Sequence, residues 1–471
     1  MKHNIFFILF LSILSANIIS VPEEYLFIQL AIDNATDNDT ILVNTGVYTE
    51  NISVNNLSLS IISVMGSANT TIDGNYNGST INIDAPGDSV LIKGFTIKNG
   101  IGEILNSGSR YGGGIISHNT ILTLDSLIIE NNESFAGGGI CLYNMESSIN
   151  HSLLQNTIIQ NNIASEGGGI FIINQSLNVL NTNISNNGMT PYGSGGGIQA
   201  LLSNINVIDA TIIDNHSRFG GGIYMANSIS TIENSNISYN NSDSKGGGIW
   251  VGSQSQLDIS GTLISNNIAD GFGGGIFISL SDILINKSTI VYNIVSAAVS
   301  GSGIYVDGGD AIIQNSIIYF NRKENNDSIN YNLDGYSSNS FNEYNVEYSD
   351  IEGSSNWIPL GNGIISINPE FEYDSYYLSE DSPCIDTGNP NNFDIDGTVI
   401  DMGAFYYDQT SCMSIGDLND DGSVNVLDAI YIVNIILDTE YIYDLCHDMN
   451  NDLNINILDV IYIIQIILNE L

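Results

Sequence analysis

Basic residues are scarce in this chain of 471 residues, which has 9 Lys and Arg against 52 Asp and Glu and a formal net charge of −43. A chain this acidic repels the phosphate backbone of nucleic acids and the anionic surface of membranes, so we expect neither as a partner. The excess of carboxylates suits a protein that holds cations. A codon bias towards Asn, Ile and Asp would give a similar composition, and the two explanations are compatible.

Cysteine is also scarce, and 4 residues are too few for a disulfide scaffold. Cys412 and Cys446 each precede one of two acidic loops, and the sequence leaves open whether they form a disulfide. We expect Cys141 to be a buried free thiol. Beyond the amino-terminal segment no stretch reaches the ~18 uninterrupted apolar residues of a transmembrane helix, so we expect no membrane span in the mature chain.

The amino-terminal segment has the pattern of a secretory signal peptide. Lys2 and His3 precede the apolar run from Ile5 to Leu14, which has the length of a signal-peptide core. Ala16 and Ser20 are both candidate cleavage positions. We assign residues 1–20 to this segment and expect a secreted protein that is extracellular or displayed on a bacterial cell surface.

A repeat of 25 to 30 residues fills the middle of the chain. Each unit contains Gly-Gly-Gly-Ile, or once Gly-Ser-Gly-Ile, followed by Ile-x-x-Asn. The glycine runs end at Ile115, Ile140, Ile170, Ile198, Ile223, Ile249, Ile276 and Ile304, and the Asn residues are Asn131, Asn161, Asn187, Asn215, Asn240, Asn267, Asn293 and Asn321.

Each unit predicts three short strands, because polar and apolar residues alternate and β-branched residues are common. Strands this short cannot bury a face alone, but coiled units can stack about 4.8 Å apart around an apolar interior. Glycine permits the corner, and Asn tolerates a left-handed backbone and can bond to its copy in the next coil. We predict a parallel β-helix solenoid. A leucine-rich-repeat horseshoe is the alternative, which the lack of helical periodicity disfavours.

An amphipathic segment precedes the repeats. Ile28, Ala31, Ile32 and Ala35 have helical spacing, and the segment Asp39–Tyr48 then reads as a strand and a turn. We expect this helix to cover the first coil, whose exposed strand edges would otherwise pair with other chains.

Several segments resemble known β-helix proteins. Gly46–Ile52 and Gly94–Gly100 look like the opening of pectin-lyase-like right-handed β-helix proteins, and the two repeated motifs are similar to those of polymorphic outer-membrane proteins. Ser382–Pro390 resembles the closing part of surface β-helix proteins that end in anchor modules. The resemblance implies a right-handed parallel β-helix over residues 21–408 and an extracellular place, but no single activity.

Two acidic loops begin 31 residues apart in the segment 409–471. Their oxygen-bearing residues have the spacing of a calcium loop, and Ca²⁺ takes about six to eight hard oxygen ligands. The predicted ligands are Asp417, Asn419, Asp421, Ser423 through its carbonyl, Asn425 through water and Asp428, then Asp448, Asn450, Asp452, Asn454, Asn456 and Asp459. The alternative is that these residues only cap helices.

Each loop leads into an apolar helix, predicted over Ala429–Leu437 and Val460–Leu468. This duplicated loop and helix resembles type I dockerins, small all-α domains, and implies two bound Ca²⁺ ions and a cohesin as partner. Leu453 replaces the turn glycine, which costs on the order of 1 kcal/mol and should weaken the second site. Val426-Leu427 and Ile457-Leu458 stand where dockerins carry polar pairs that contact a cohesin, so the partner is a cohesin-like or another surface anchoring protein.

Catalytic motifs of β-helix enzymes are not present in the sequence. Polysaccharide lyases of this fold use a Lys or Arg base beside a carboxylate–Ca²⁺ cluster, and the related hydrolases use Gly-His-Gly and Arg-Ile-Lys elements. Arg218 and Lys245 occupy equivalent loops in neighbouring units and are the best candidates for such a base. We favour a non-catalytic protein that binds carbohydrate or a surface; the alternative is a polysaccharide lyase or glycosidase carried by the dockerin.

Aromatic residues mark the loops before the glycine runs. Tyr111, Phe219 and Phe272 each directly precede a glycine triplet, and Phe135 and Tyr192 lie within three residues of one. Stacked coils would place these rings on one long edge. They either form a platform for sugar rings or shield the glycine corners.

Overall fold

The computed structural model describes residues 16–105, 108–144, 151–188, 193–296, 301–324, 332–335, 342–353, 361–409, 416–419, 422–437, 447–450, 452 and 454–469. The chain coils into the predicted right-handed parallel β-helix, and a small helical module follows. Four parallel sheets run along the solenoid. We number them in the order in which one coil visits them.

Sheet 1 begins after each glycine run and lines one face of the solenoid. Its first strand has the second strand on one side and the amino-terminal helix on the other. In the described residues its strands are Ile52–Asn55, Ile81–Asp84, Ile115–His118, Ile140–Tyr143, Ile170–Ile173, Ile198–Leu201, Ile223–Ala226, Ile249–Gly252, Ile276–Ser279, Ile304–Asp307 and Leu333–Gly335.

Sheet 2 forms the second face and starts earliest in the chain. Its strands in the described residues are Ile18–Val21, Asp39–Val43, Leu59–Ser63, Ser89–Lys93, Ile121–Asp125, His151–Gln155, Ser176–Leu180, Asn204–Ile208, Ile229–Glu233, Gln256–Ser260, Asp282–Asn286, Gly309–Gln314 and Asn342–Glu347. Ile18–Val21 overlaps the last three residues of the segment 1–20 that we assigned to the signal peptide, so the solenoid starts before residue 21.

Sheet 3 forms the third face and has the shortest regular strands. Its strands in the described residues are Gly46–Tyr48, Thr70–Asp73, Thr96–Lys98, Ile128–Glu130, Ile158–Gln160, Asn183–Ser185, Thr211–Ile213, Asn236–Ser238, Leu263–Ser265, Thr289–Val291, Ile317–Tyr319 and Asp350–Ile351.

Sheet 4 was not predicted and appears only in the later coils, between sheet 3 and the glycine run. Loops of similar length in successive coils pair there, where we expected irregular chain. The described strands of sheet 4 are His216–Phe219, Asn241–Lys245, Ile268–Ala269, Ile294–Val295 and Arg322–Lys323. A separate antiparallel pair joins Glu103–Ile104 to Arg110–Tyr111.

Isoleucine columns fill the interior. Ile198, Ile223, Ile249 and Ile276 lie in register on successive strands of sheet 1, and each is fully buried. Burying one such side chain contributes roughly 1.5–3 kcal/mol. The alternation predicted from the sequence therefore places these apolar residues in one continuous core.

The glycine run makes the corner before sheet 1. Gly220 has a φ of +62°, which disfavours other residues. A Cβ on Gly221 would overlap the carbonyl oxygens of Asn241 and Gly247, so only glycine lets the coils approach this closely.

A buried ladder of asparagine side chains runs along the solenoid. Its first two members are not the residues that we predicted. Asn131 and Asn161, which we predicted, instead hold the left-handed position with φ of +55° each. The next residues, Asn132 and Asn162, bond to each other, and the ladder continues as Asn187, Asn215, Asn240, Asn267, Asn293, Asn321 and Asn332. The two roles that we assigned to one Asn therefore belong to adjacent positions.

Helix α1, Ile28–Asp33, covers the first coil as predicted. Its backbone N–H groups at Ile28 and Gln29 donate to the carboxylate of Glu50, both at 3.0 Å. The Gln29 amide accepts from the N–H of Ser53 at 2.6 Å and donates to its carbonyl at 3.2 Å. These bonds satisfy the open edge of sheet 1, which would otherwise be free to pair.

Helices α2 (Val426–Leu437) and α3 (Ile457–Asn469) form the small module and pack through Ile432 and Ile463. Each begins three residues earlier than we predicted. The side-chain oxygens of Asn425 and Asn456 accept from backbone N–H groups two residues on, at 2.9 and 2.8 Å, which caps the helices. Among the described residues, no helix has the length and apolar character to cross a membrane.

Cysteine states agree with expectation where they are described. Cys141 is a buried free thiol, as predicted, and so is Cys384. Cys412 and Cys446 lie outside the described residues, so their disulfide stays a prediction.

Candidate functional sites

The first acidic loop folds around the buried carboxylate of Asp428. Its Oδ1 accepts from the backbone N–H groups of Leu418 and Asn419, at 2.8 and 3.2 Å, and its Oδ2 accepts from Asn425 at 2.7 Å. The N–H of Gly422 donates to Asp417 at 2.8 Å, and the φ of +86° at this glycine makes the turn. The predicted ligand Ser423 is exposed, and Asp421 lies outside the described residues.

The second loop repeats this arrangement. Asp459 is fully buried and accepts from the N–H groups of Asn450 and Asn456, at 3.2 and 2.7 Å. The N–H of Asp452 donates to Asp448, which is buried, at 3.1 Å. Asn454 is exposed, and Leu453 lies outside the described residues.

The donor set of both loops fits Ca²⁺. Every predicted ligand offers oxygen. The buried carboxylates of Asp428 and Asp459 lie in the first turns of α2 and α3, and Asp417 and Asp448 begin the two loops. Without an ion these carboxylates accept hydrogen bonds from backbone N–H groups. Within the described residues, no three acidic, His or Cys side chains lie close enough together to bind a metal. Bound calcium would supply positive charge that lets the loop carboxylates approach one another.

Two apolar pairs project from these loops into solvent. Val426 and Leu427 are 62% and 52% exposed, and Ile457 and Leu458 are 61% and 51% exposed. The near-identical values follow from the internal repeat. Two equivalent apolar patches are thus available to a partner.

The residues before the glycine triplets form a single row, as predicted, which we call the glycine edge. Neighbouring coils pair in register along it. Its members are Tyr111, Ala136, Glu166, Ser194, Phe219, Lys245 and Phe272. Tyr192 lies outside the described residues.

Most rings of the glycine edge pack against the solenoid. Phe272 lies 4.5 Å from Tyr305 between ring centroids, and Tyr111 lies 6.2 Å from Phe135. Phe135 is 43% exposed. These contacts assign a packing role to several of the rings that we considered as a sugar platform.

An aromatic ladder beside the glycine edge escaped the sequence analysis. Tyr224, Trp250, Phe277 and Tyr305 occupy the second position of successive sheet 1 strands and point outward. The first two rings stack at 4.2 Å between centroids and 4° between planes, and the last two at 5.7 Å and 5°. The sequence feature that could have predicted this ladder is the aromatic residue that follows the Ile of the glycine run in these units.

The ladder ends at Tyr224, whose neighbour in the preceding coil is Gln199. Gln199 is 3% exposed, and its Oε1 has no hydrogen-bond partner in the described part of the chain. Burial raises the pKa of Glu166, which a hydrogen bond from Gln199 opposes. One face of the ladder therefore adjoins a buried, unsatisfied acceptor.

Arg218 lies over a ring of the glycine edge, and Lys245 lies over a ring of the aromatic ladder beside it. The Arg218 guanidinium is 5.1 Å from the centroid of Phe219, and the Lys245 Nζ is 4.5 Å from that of Phe277. No carboxylate lies within 4 Å of either cation in the described residues; the ion pairs found there join other residues. Such cation–π contacts contribute roughly 0.5–1 kcal/mol at exposed sites and leave N–H groups free for a ligand.

Comparisons with known proteins agree with this architecture. Residues 148–317 match the family model of the right handed beta helix region, and residues 415–468 match that of the dockerin type I domain. A search of the curated proteins finds no match.

Solved structures that the chain matches include a pectate lyase, a pectin methylesterase and a tailspike domain. A pectate lyase is 12% identical, with 84% of this chain and 97% of that chain covered and a TM-score of 0.49. A carrot pectin methylesterase is 12% identical over 70% and 87% of the two chains, with a TM-score of 0.28. The receptor binding domain of the Siphovirus 9NA tailspike is 10% identical over 74% and 78%, with a TM-score of 0.27. At such identities the likeness concerns the fold alone.

The chain is a right-handed parallel β-helix, a fold that supports several kinds of chemistry. It carries a type I dockerin domain after the solenoid. Type I dockerins bind calcium and attach to cohesins, and proteins that bear them are typically extracellular or on the cell surface.

Proposed function

We propose that this chain is an exported protein that binds polysaccharide beside the glycine edge of its β-helix and is held in place by its dockerin domain. The β-helix supplies a rigid surface, and the dockerin supplies attachment. The alternative, a polysaccharide lyase or glycosidase on the same scaffold, differs in leaving a shortened product.

The observation that carries the binding proposal is the pair Gln199 and Tyr224. A buried acceptor without a partner costs about 1–3 kcal/mol, and a sugar hydroxyl would remove this cost where binding turns the Gln199 side chain towards the ligand. The ring of Tyr224, which is partly exposed at the end of the ladder, would stack on the same sugar ring. Arg218 lies just before the glycine run of the same coil, and its N–H groups would bond to the sugar hydroxyls.

The same geometry argues against a lyase centre. A base needs a carboxylate–Ca²⁺ cluster beside it, whereas Glu166 lies three coils from Lys245 on the glycine edge, about 14 Å at 4.8 Å per coil. Asp243 lies closer in sequence to Lys245, but its carboxylate contacts His216 at 2.7 Å.

A retention assay tests the binding proposal. The full chain is run through gels that contain soluble neutral and acidic polysaccharides, beside Tyr224→Ala, Gln199→Ala and Tyr305→Ala. We expect retention by at least one polysaccharide, weaker retention in the first two variants, and unchanged retention in the third, because Tyr305 lies at the buried end of the ladder. Wild-type chain that migrates freely in every gel would disprove the proposal.

Attachment is proposed to require two calcium ions and an apolar partner surface. The exposed pairs Val426-Leu427 and Ile457-Leu458 would bury apolar area against a cohesin-like protein. Because the two patches are near copies, Val426→Asp or Ile457→Asp alone should leave one patch usable, and the double variant should lose binding. Capture of the full chain on an immobilised cohesin, with calcium and with EDTA, checks this; capture unaffected by EDTA would contradict it.

A further inference from the structure

From Thr96–Lys98 to Ile317–Tyr319, the residue after each sheet 3 strand has a left-handed backbone, and three coils place an aromatic residue there. The other members of this row are residues that tolerate the conformation: Asn99, Asn131, Asn161, Asn186, Asp214 and Asn266. Tyr239, Tyr292 and Phe320 have φ of +55°, +56° and +56°. A bulky residue at such an angle strains the backbone, and strain of this kind collects at functional sites.

Burial does not fully account for these three rings. Tyr239 is 55% exposed, and Tyr292 and Phe320 are partly exposed. Tyr292 and Phe320 stack at 5.0 Å between centroids and 7° between planes. An Asn in their place would relieve the strain, as it does in the other coils. The rings also make contacts within the protein: Tyr239 bonds to Tyr376, and Tyr292 packs against the hydrophobic cluster beneath the closing segment 361–378.

The row has a gap at Asn266, between Tyr239 and Tyr292. These two tyrosines stand two coils apart, roughly 10 Å along the axis, so the short side chain between them leaves an opening. The closing segment 361–378 folds over sheet 3 and brings Tyr376 to this opening, where its hydroxyl accepts from the Asn266 amide at 2.6 Å. Tyr376 and Tyr292 are 6.3 Å apart and tilted by 54°.

The result is a cleft of about 700 Å³ at the outer edge of sheet 3. Ligand pockets commonly measure about 300–1,000 Å³. Besides the rings, its described lining holds the amides of Asn266 and Asn368 and the carboxylates of Glu370, Glu372 and Asp374, and it holds neither Lys nor Arg. Arg322 is close enough to oppose the effect of burial on the pKa of Tyr292, but it does not line the cleft.

We propose that this cleft binds a neutral polysaccharide. Aromatic faces stack on the apolar faces of sugar rings, while carboxylates and amides accept hydrogen bonds from hydroxyl groups. The three carboxylates repel the charged groups of uronic-acid chains, so the cleft should select a neutral polysaccharide over an acidic one. The opening runs along the solenoid axis, so a linear chain would lie across successive coils.

This cleft is distinct from the surface beside the glycine edge. The left-handed row follows sheet 3, the glycine edge precedes sheet 1, and sheet 4 lies between them. The inference does not depend on the proposed site at Tyr224, and substitutions can disrupt either site without changing the residues of the other.

Calorimetric titration of the full chain tests the cleft. The probes are the tetrasaccharides of cellulose, xylan and mannan, with tetragalacturonate as the acidic comparison. The variants are Tyr239→Asn and Tyr292→Asn, which install the residue that other coils hold, and Tyr224→Ala at the glycine edge. Thermal melting of each variant accompanies the titration.

We expect at least one neutral tetrasaccharide to bind, and we expect binding at the cleft to weaken at least tenfold in both Asn variants. Their melting temperatures should stay close to that of wild type, because relief of the backbone strain offsets the ring contacts that are lost. Tyr224→Ala should leave cleft binding intact. Neutral binding unchanged in both Asn variants, or binding of tetragalacturonate at the cleft, would overturn the inference. If Tyr224→Ala abolished all binding and the two Asn variants did not, the cleft would be ruled out as a binding site and the site beside the glycine edge would be supported.

If the rings only pack, the Asn variants would melt at lower temperature and bind as wild type does. That outcome also refutes the cleft. Tyr376→Phe provides a second readout, because it removes the hydroxyl that meets Asn266 while keeping the ring; we expect weaker binding with little change in melting temperature.

Discussion

The side-chain amide of Asn240 donates to the Oδ1 of Asn267 in the next coil at 3.0 Å. The same amide donates back to the carbonyl of Ile212 at 2.9 Å, and its own Oδ1 accepts from the N–H and the amide of Asn215, both at 3.0 Å. Each ladder Asn thus has all of its hydrogen-bonding groups satisfied while fully buried. Buried networks of this kind stabilise only when they are complete.

Interrupting the ladder should therefore be costly. Asn240→Ala takes the side-chain donor from the carbonyl of Ile212 and the acceptor from the backbone N–H and one amide N–H of Asn215. Each orphaned group costs about 1–3 kcal/mol. We expect urea denaturation to show a loss of roughly 3 kcal/mol. Asn241→Ala, at the neighbouring exposed position, is the control and should change little; equal effects of the two would contradict the ladder's role.

Acid should stabilise the closing segment through Asp350. This carboxylate is fully buried, accepts from the Ile367 N–H at 3.1 Å and meets the Cys384 thiol at 3.4 Å. Burial raises the pKa of Asp350 to about 7, above its ordinary 3.8. The folded state therefore favours the protonated form, and this stabilisation is present below about pH 4 and is lost as the pH rises through 7.

Hydrogen exchange measures this effect locally. Between pH 5 and pH 8, the free energy of opening of the amides in 361–409 should fall. After correction for intrinsic exchange rates, this fall should be on the order of 2 kcal/mol larger in wild type than in Asp350→Asn. Asp401, whose pKa burial raises to about 6, is unchanged in both proteins and contributes equally. Parallel pH profiles of the two proteins would refute the assignment.

Signal-peptide cleavage should follow Ala16 and not Ser20. Ile18–Val21 pairs with Thr40–Val43 in sheet 2, and the N–H of Asn17 donates to Asp39 at 2.6 Å. Cleavage after Ser20 would remove most of this strand and expose the edge of the next. The intact mass of the secreted chain decides between the two positions, and a mature chain that begins at Val21 would contradict the expectation.

Calcium removal should unfold the dockerin domain. Circular dichroism of the full chain should lose its helical contribution in EDTA, while the β signal of the solenoid remains. Asp417→Ala should weaken calcium binding more than Asp448→Ala, because Gly422 makes the first turn without strain and Leu453 handicaps the second. Equal affinities of the two variants would show that Leu453 carries no cost.

The sequence was sufficient for features that repeat and insufficient for those that do not. The glycine runs and the Ile columns gave the coil, its register and its core. The ladder position was missed in two units, because Asn131 and Asn132 both satisfy Ile-x-x-Asn and only stacking distinguishes them. Sheet 4 was missed because its short strands carry no alternating pattern of their own.

The aromatic surfaces also include features that the sequence pattern indicates and features that only the fold brings together. Trp250 was visible as a residue after Gly-Gly-Gly-Ile, yet only the register shows that it stacks on Tyr224. The cleft brings Tyr376 against Asn266, 110 residues apart in sequence. The closing segment has no repeat to fix its register, so no sequence pattern could place it there.

Titration with product analysis tests the central claim most directly. The full chain is titrated with the polysaccharide that retains it, and the length distribution of that polysaccharide is measured afterwards by mass spectrometry and by ultraviolet absorbance of unsaturated ends. Phe219→Ala, which removes the ring under Arg218, should weaken binding with little loss of stability, whereas Phe272→Ala should lose several kcal/mol, as for a packed ring. We expect saturable binding with the polysaccharide unchanged in length. Shortened chains, and above all cleavage that disappears in Arg218→Ala, would contradict a binding function and establish an enzyme.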